Sequence, residues 1–253
     1  MKKIVLLAAT AAFFALLACR LSSAPASEID CAGALEALHQ VRGDMSFPDN
    51  FQTENPAKQG GEFDANTYFQ ALTHLSMQPG YALDYVYHFD GMGGYPLLYP
   101  RPAEQAPFRT EADYAASGDS SDYLDYVQID DTAEGYFQYV VLNILGSQFY
   151  LFWHANYNDY QIMCNPSDVR DIAASLGDFG RPMSLLSRLR TLLLRDVAPT
   201  VRTSEQSVEV QLVVFTKWGG FLRLTFSIDR NFPHRILDVK EKILVPYDCG
   251  VMF

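Results

Sequence analysis

The sequence is poor in positive charge: 19 Lys and Arg stand against 30 Asp and Glu in 253 residues, a formal net charge of −11. Each phosphate contact of a nucleic-acid-binding protein needs a cation, so wrapping DNA or RNA is excluded as a role. Only 19% of residues are charged and 49% are apolar, which excludes a disordered or low-complexity chain and leaves material for a real core. No second apolar run matches the one at Ile4–Ala18, so nothing after the opening reads as a membrane span. There is no GxSxG, no glycine-rich phosphate loop, no HExxH and no EF-hand loop, which removes the motif-based arguments for catalysis on those patterns. Four cysteines lie too far apart for a CxxC or Cys/His zinc pattern, and no metal or cofactor is implied.

The shortage of basic residues is local. From Ser27 to Asn165 there are 4 basic and 20 acidic residues, net −16; from Pro166 to Phe253 there are 12 basic and 10 acidic, net +2. An acidic stretch can meet cations or a basic partner, but charge runs ordinarily keep a surface solvated.

What is present begins with a signal. Met1-Lys2-Lys3 is a positive start, and Ile4–Ala18 is apolar except for Thr10. At fifteen residues the run falls short of the roughly 20 that cross a bilayer, so it reads as the hydrophobic region of an export signal occupying residues 1–18. Leu16-Leu17-Ala18-Cys19 resembles the lipobox of bacterial lipoproteins, which implies a diacylated Cys19 as mature N-terminus and a cell-envelope protein held to its membrane by the lipid. Ala24-Pro25-Ala26 is the rival site, for ordinary secretion after Ala26. Residues 19–29, rich in Ser, Ala and Pro, then form a tether, and 30–253 form one domain with a possible internal boundary at 102–122.

An exported chain matures in an oxidising compartment, so among Cys31, Cys164 and Cys249 one disulfide and one thiol are expected. Cys164 ends one strand pattern and Cys249 follows the last one, which suggests that pair, with Cys31 as the alternative partner.

Periodicity places helices at Asp30–Val41, Asp64–Met77, Thr132–Leu145, Ser167–Leu176 and Ser184–Arg195, and strands at Tyr81–Phe89, Tyr95–Tyr99 and Leu124–Ile129. Phe149–Trp153 and Tyr160–Cys164, joined through Asn156-Tyr157-Asn158-Asp159, read as a hairpin. The segment 102–122 is Ala-, Ser- and acid-rich and reads as a surface excursion or lid. Strict alternation through Val208, Val210, Leu212, Val214, then Leu222, Leu224, Phe226, Ile228, then Ile236–Val245 predicts a three-strand antiparallel meander, with Gly219-Gly220 in a two-residue turn. The Leu-rich helix just before it could lie on acidic lipid, but the sheet's need for cover assigns it to the core. The fold class is therefore α+β, an antiparallel sheet packed on helices, and the element order resembles NTF2-like or cystatin-like cones, a likeness of architecture only.

Three polar constellations are candidates for chemistry. Trp153, His154, Asn156, Tyr157, Asn158 and Asp159 place an imidazole, amides and a carboxylate together, with His154 and Asp159 able to act as acid-base groups and Trp153, Asn156, Tyr157 and Asn158 as a ligand surface. His88 lies between Asp84 and Asp90 on one strand face. Asp119, Asp122, Asp125, Asp130 and Asp131 form an acidic run without the compact register a calcium loop needs. The sequence thus points to a non-catalytic domain that binds an unknown protein or small ligand, with a pocket enzyme or a purely structural envelope protein as alternatives.

Overall fold

The computed structural model describes residues 29–43, 45–178 and 180–252. The signal run and Cys19 lie outside the described residues. Among the described residues there are six α-helices: α1 Cys31–Arg42, α2 Tyr68–Ala71, α3 Glu111–Ala116, α4 Ala133–Leu145, α5 Pro166–Ser175 and α6 Leu185–Leu193. The strands are β1 Leu75–Met77, β2 Tyr81–Phe89, β3 Gly93–Pro102, β4 Val127–Ile129, β5 Phe152–Trp153, β6 Gln161–Met163, β7 Thr200–Thr203, β8 Ser207–Thr216, β9 Gly220–Asp229 and β10 Ile236–Pro246. None of the described helices is long and apolar enough to cross a membrane.

All strand pairing is antiparallel, and the class is α+β. β1 pairs with β4; β2, β3 and β5 form a second sheet; β10, β9 and β8 form the C-terminal meander. The far edge of β8 is shared in tandem, β7 taking Val208 to Gln211 and β6 taking Val213 to Phe215. Alternation along β8 then has two destinations. Val208, Val210, Leu212 and Val214 enter the main core, while Val213 and Phe215 enter a smaller one on the other face, with Phe221, Val245, Val169 and Ala173. A fully buried side chain of this size contributes about 1.5–3 kcal/mol, so both faces of β8 stabilise the sheet.

The helix gripped by the main core is α4. Ten of its thirteen residues are buried, so it is surrounded rather than laid on a surface. Thr132 caps it, its hydroxyl accepting from the Gly135 amide at 3.0 Å.

Several expected elements differ. The predicted helix over Asp64–Met77 breaks into a 3₁₀ turn, the four residues of α2 and strand β1, because Leu75–Met77 pairs with β4. The predicted strand Leu124–Ile129 is strand only from Val127, after a 3₁₀ turn capped by Asp122. Phe149–Trp153 and Tyr160–Cys164 are no hairpin: β5 pairs with β3 at Gly93 and Gly94, β6 pairs with β8, and residues 154–157 make a 3₁₀ turn. The 102–122 segment contains α3, with a capping box between Thr110 and Asp113 and the Tyr114 ring stacked 4.6 Å from Tyr99. The turn between β8 and β9 holds three residues, Lys217 to Gly219, since Thr216 pairs with Gly220.

The disulfide joins Cys31 to Cys164, with Cα atoms 5.6 Å apart, and corrects the Cys164–Cys249 expectation. The reason is the sheet. Cys31 and Cys164 meet on its main-core side, whereas Cys249 is a buried free thiol in the smaller core on the other face.

The largest departure is α6. Its leucines do not cover the meander: Leu185, Leu186, Leu189, Leu192 and Leu193 are 59–81% exposed, and Thr191 is the one buried residue of the helix.

Candidate functional site

A cleft of about 570 Å³ opens beside α4, between Tyr95–Leu98 in the middle of β3 and the 154–157 turn. Local sequence explains the gap. Gly93 lets the 154–155 backbone approach, since a Cβ there would lie 3.3 Å from the Ala155 amide nitrogen, and Gly94 leaves room for the Tyr87 ring of β2, which a Cβ would strike. Beyond Gly94, β3 carries Pro96 and Pro100, which have no N–H to donate to a further strand, so β5 ends there and the side of β3 stays open.

Tyr95, Tyr123 and Tyr157 stand around an apolar floor that includes Leu98 and Leu124. Tyr95 and Tyr157 are well exposed, and the Tyr157 ring rests 4.3 Å from Trp218, which ties the rim to the C-terminal meander. The polar groups are few. Asp122 accepts from the Leu124 amide at 3.0 Å, and Asn158 donates to the Ser147 hydroxyl at 3.2 Å. The Asn143 side chain of α4 borders the cleft and makes no hydrogen bond to any described residue. A second cleft of about 320 Å³ shares Asp122, Leu124 and Asn143 with the first and continues to Arg235 and Ile236, where Arg235 Nε lies 3.2 Å from Asp125 Oδ1. The two make one groove along α4, apolar in its floor and acidic at its middle.

The structure divides the 153–159 candidates. Tyr157 and Asn158 line the cleft; Trp153, His154 and Asn156 do not. Trp153 adopts a left-handed φ of 44°, the reversal at which the chain leaves β5, and Asn156 folds back to donate to the Trp153 carbonyl at 2.8 Å. His154 sits between the rings of Trp153 and Tyr157. Asp159 points to the other sheet, accepting from the Thr216 hydroxyl and from the Lys217 amide at 2.9 Å, and burial pushes its carboxyl above the usual range. His154 and Asp159, the two acid-base candidates, share no hydrogen bond: the carboxylate is held by Thr216 and Lys217.

The other two constellations also separate. His88 Nδ1 contacts Glu111 Oε2 at 2.7 Å, while Asp84 is buried between Arg101, at 2.7 Å, and Lys58. Asp90 accepts from the backbone amides of Met92 and Gly93, which hold its carboxyl below the usual range. Asp131 is paired with Arg230, Asp125 with Arg235 and Asp130 with His74, and no metal-holding cluster exists among the described residues.

Sequence reasoning missed two features. The Lys58–Asp84–Arg101 triad pins the loop before α2 to the β2–β3 sheet, and Lys58 also lies 4.4 Å over the Tyr85 ring. Asn143 and Leu98 belong to the cleft, but within their elements nothing distinguishes them from packing residues. No family model, curated protein or solved structure matches this chain.

Proposed function

We propose that the protein is an exported cell-envelope lipoprotein, anchored through acylated Cys19, whose folded domain binds a small ligand or a protein segment without covalent chemistry in the groove along α4. The observation that carries the binding reading is the cleft itself. Its volume of about 570 Å³ lies in the range of small-molecule sites, its floor is apolar, and its three tyrosines offer flat rings with polar tips. The Asn143 carboxamide at the cleft offers one donor face and one acceptor to an occupant. Asp122 and Asp125 favour a neutral or cationic occupant over an anion.

The test uses the neutral fluorophore Nile red as a cleft probe, in a background where Leu189→Ser and Leu192→Ser remove the apolar surface of α6. Ser147→Trp fills the cleft mouth and should weaken probe binding at least about tenfold, the value of losing one well-packed apolar contact. Equal binding by the filled variant refutes the cleft as a site. Mass spectrometry of the mature N-terminus tests the anchor: a diacylated Cys19 supports it, and an unmodified Ser27 start overturns it.

A further inference from the structure

We propose that α6 is a membrane-contact helix, built to press its leucines into an anionic lipid surface. The helix is mounted with its polar side inward. Thr191 is buried and Ser187 is half-buried, so the helix docks on the domain through two polar positions one turn apart, while Leu194, just past its end, packs on the smaller core. At about 100° per residue, the line through Ser187 and Thr191 lies almost diametrically opposite Leu185, Leu189 and Leu193, with Leu186 and Leu192 beside them. A helix covering its own core would present the reverse.

The arginines fix the identity of what the leucines meet. On the same wheel Arg190 falls on one flank of the leucine arc and Arg188 on the other, and Arg195 follows two residues past the helix end. All three are exposed. No acidic residue occurs from Gly180 to Arg195, in a chain that carries 30 of them. Asp196, the next acid, lies 3.8 Å from Arg223. An apolar arc bordered on both sides by guanidiniums matches the layering of an anionic bilayer, acyl chains within a negative headgroup plane. The global charge agrees. α6 packs on α5 and β10, which belong to the part with net +2, and the part with net −16 is repelled from the same surface, so the fields orient the molecule as well as attract it. The contact does not depend on Cys19, although an anchored chain would hold α6 within reach of lipid.

The test labels the full chain, as the cell processes it, with a solvatochromic dye at Leu192→Cys. Cys31 and Cys164 are paired and Cys249 is buried, and an identically treated wild-type chain subtracts any other site. The protein is placed with vesicles of phosphatidylcholine alone or of phosphatidylcholine rich in phosphatidylglycerol. With the anionic vesicles the dye should shift to the blue and be quenched by bilayer-embedded quenchers. The ratio of buried to exposed label should exceed that in phosphatidylcholine roughly 10- to 100-fold, the effect of three basic residues at a negative surface. R188Q, R190Q and R195Q together should abolish that difference without changing the thermal midpoint. Equal signals in both lipids, no signal in either, or a blue shift without vesicles that grows with protein concentration, which would mean that a second copy covers the face, each overturn the proposal.

Discussion

Removing the disulfide should cost this fold a large part of its stability, and the cost can be worked from the chain. The bond closes a loop of 133 residues, from the first residue of α1 to the one after β6. Restricting the unfolded ensemble by a loop of that length is worth about 5 kcal/mol at room temperature in the chain-entropy account. The native state loses little else in a Cys31→Ala/Cys164→Ala variant, since both sites pack against apolar neighbours that tolerate a methyl group. With a denaturant slope of about 2–3 kcal/mol per molar urea for a chain of this size, the midpoint should fall by roughly 1.5–2.5 M. The assay follows urea unfolding by far-ultraviolet circular dichroism and by each tryptophan alone, using Trp153→Phe and Trp218→Phe, because Trp153 reports the β2–β3 sheet and Trp218 the meander. In the oxidised protein the two should unfold together. In the variant both midpoints should fall, and Cys249, 1% exposed in the native state, should react with a thiol reagent at correspondingly lower urea. A midpoint change below about 0.5 M would refute the loop-entropy reasoning, and unfolding of one tryptophan alone would show that the bond holds one sheet and not the whole fold.

Two further predictions rest on single side chains. Burial raises the Asp159 carboxyl, so in the folded protein it keeps its proton to higher pH than in the unfolded chain; its contribution is present below about pH 4 and is lost as pH rises through the raised value. Asp159→Asn keeps an acceptor for the Lys217 amide and should therefore gain on wild type in melting temperature between pH 4 and 7, and a constant difference across that range would count against it. Gly220 has φ +89°, and a Cβ there would strike the backbone of Val245 and Tyr247, whereas Gly61, at φ +95°, has open space around it. Gly220→Ala should lose about 2–4 kcal/mol, or roughly 5–15 °C, and Gly61→Ala only about 1 kcal/mol; equal losses would show that the left-handed backbone, and not the collision, sets the cost.

How far the fold could be read ahead follows from what each signal encodes. Val208 to Ile228 alternates because one face of a sheet must be apolar, and β8 and β9 run where that alternation places them. α4 was equally legible, with a cap, a period and Gly146 at its end. Leu185 to Leu193 has as clear a period, but periodicity says that a helix has an apolar face and not which way that face is mounted; here Ser187 and Thr191 take the docking side. His154 and Asp159 lie apart for a related reason: only four residues separate them in sequence, yet the chain crosses from one sheet to the other between them. Of the cleft, Tyr157 and Asn158 were accessible because turn residues announce a surface, while Asn143 and Leu98 came together only through packing of a helix and a strand more than forty residues apart.

The Cys31–Cys164 bond also sets where a mechanical load would travel. Tension applied through the residues preceding Asp30 reaches Cys31 one position later and crosses the sulfur bridge to the end of β6. β6 is hydrogen-bonded to β8, the strand at the edge of the meander, so the pull enters the largest sheet through β8, and α1 and the 133-residue loop behind it bear none of it in series. A molecule held by its N-terminal end would thus be suspended from its meander, with the acidic segment and the α4 groove hanging slack beside the line of force.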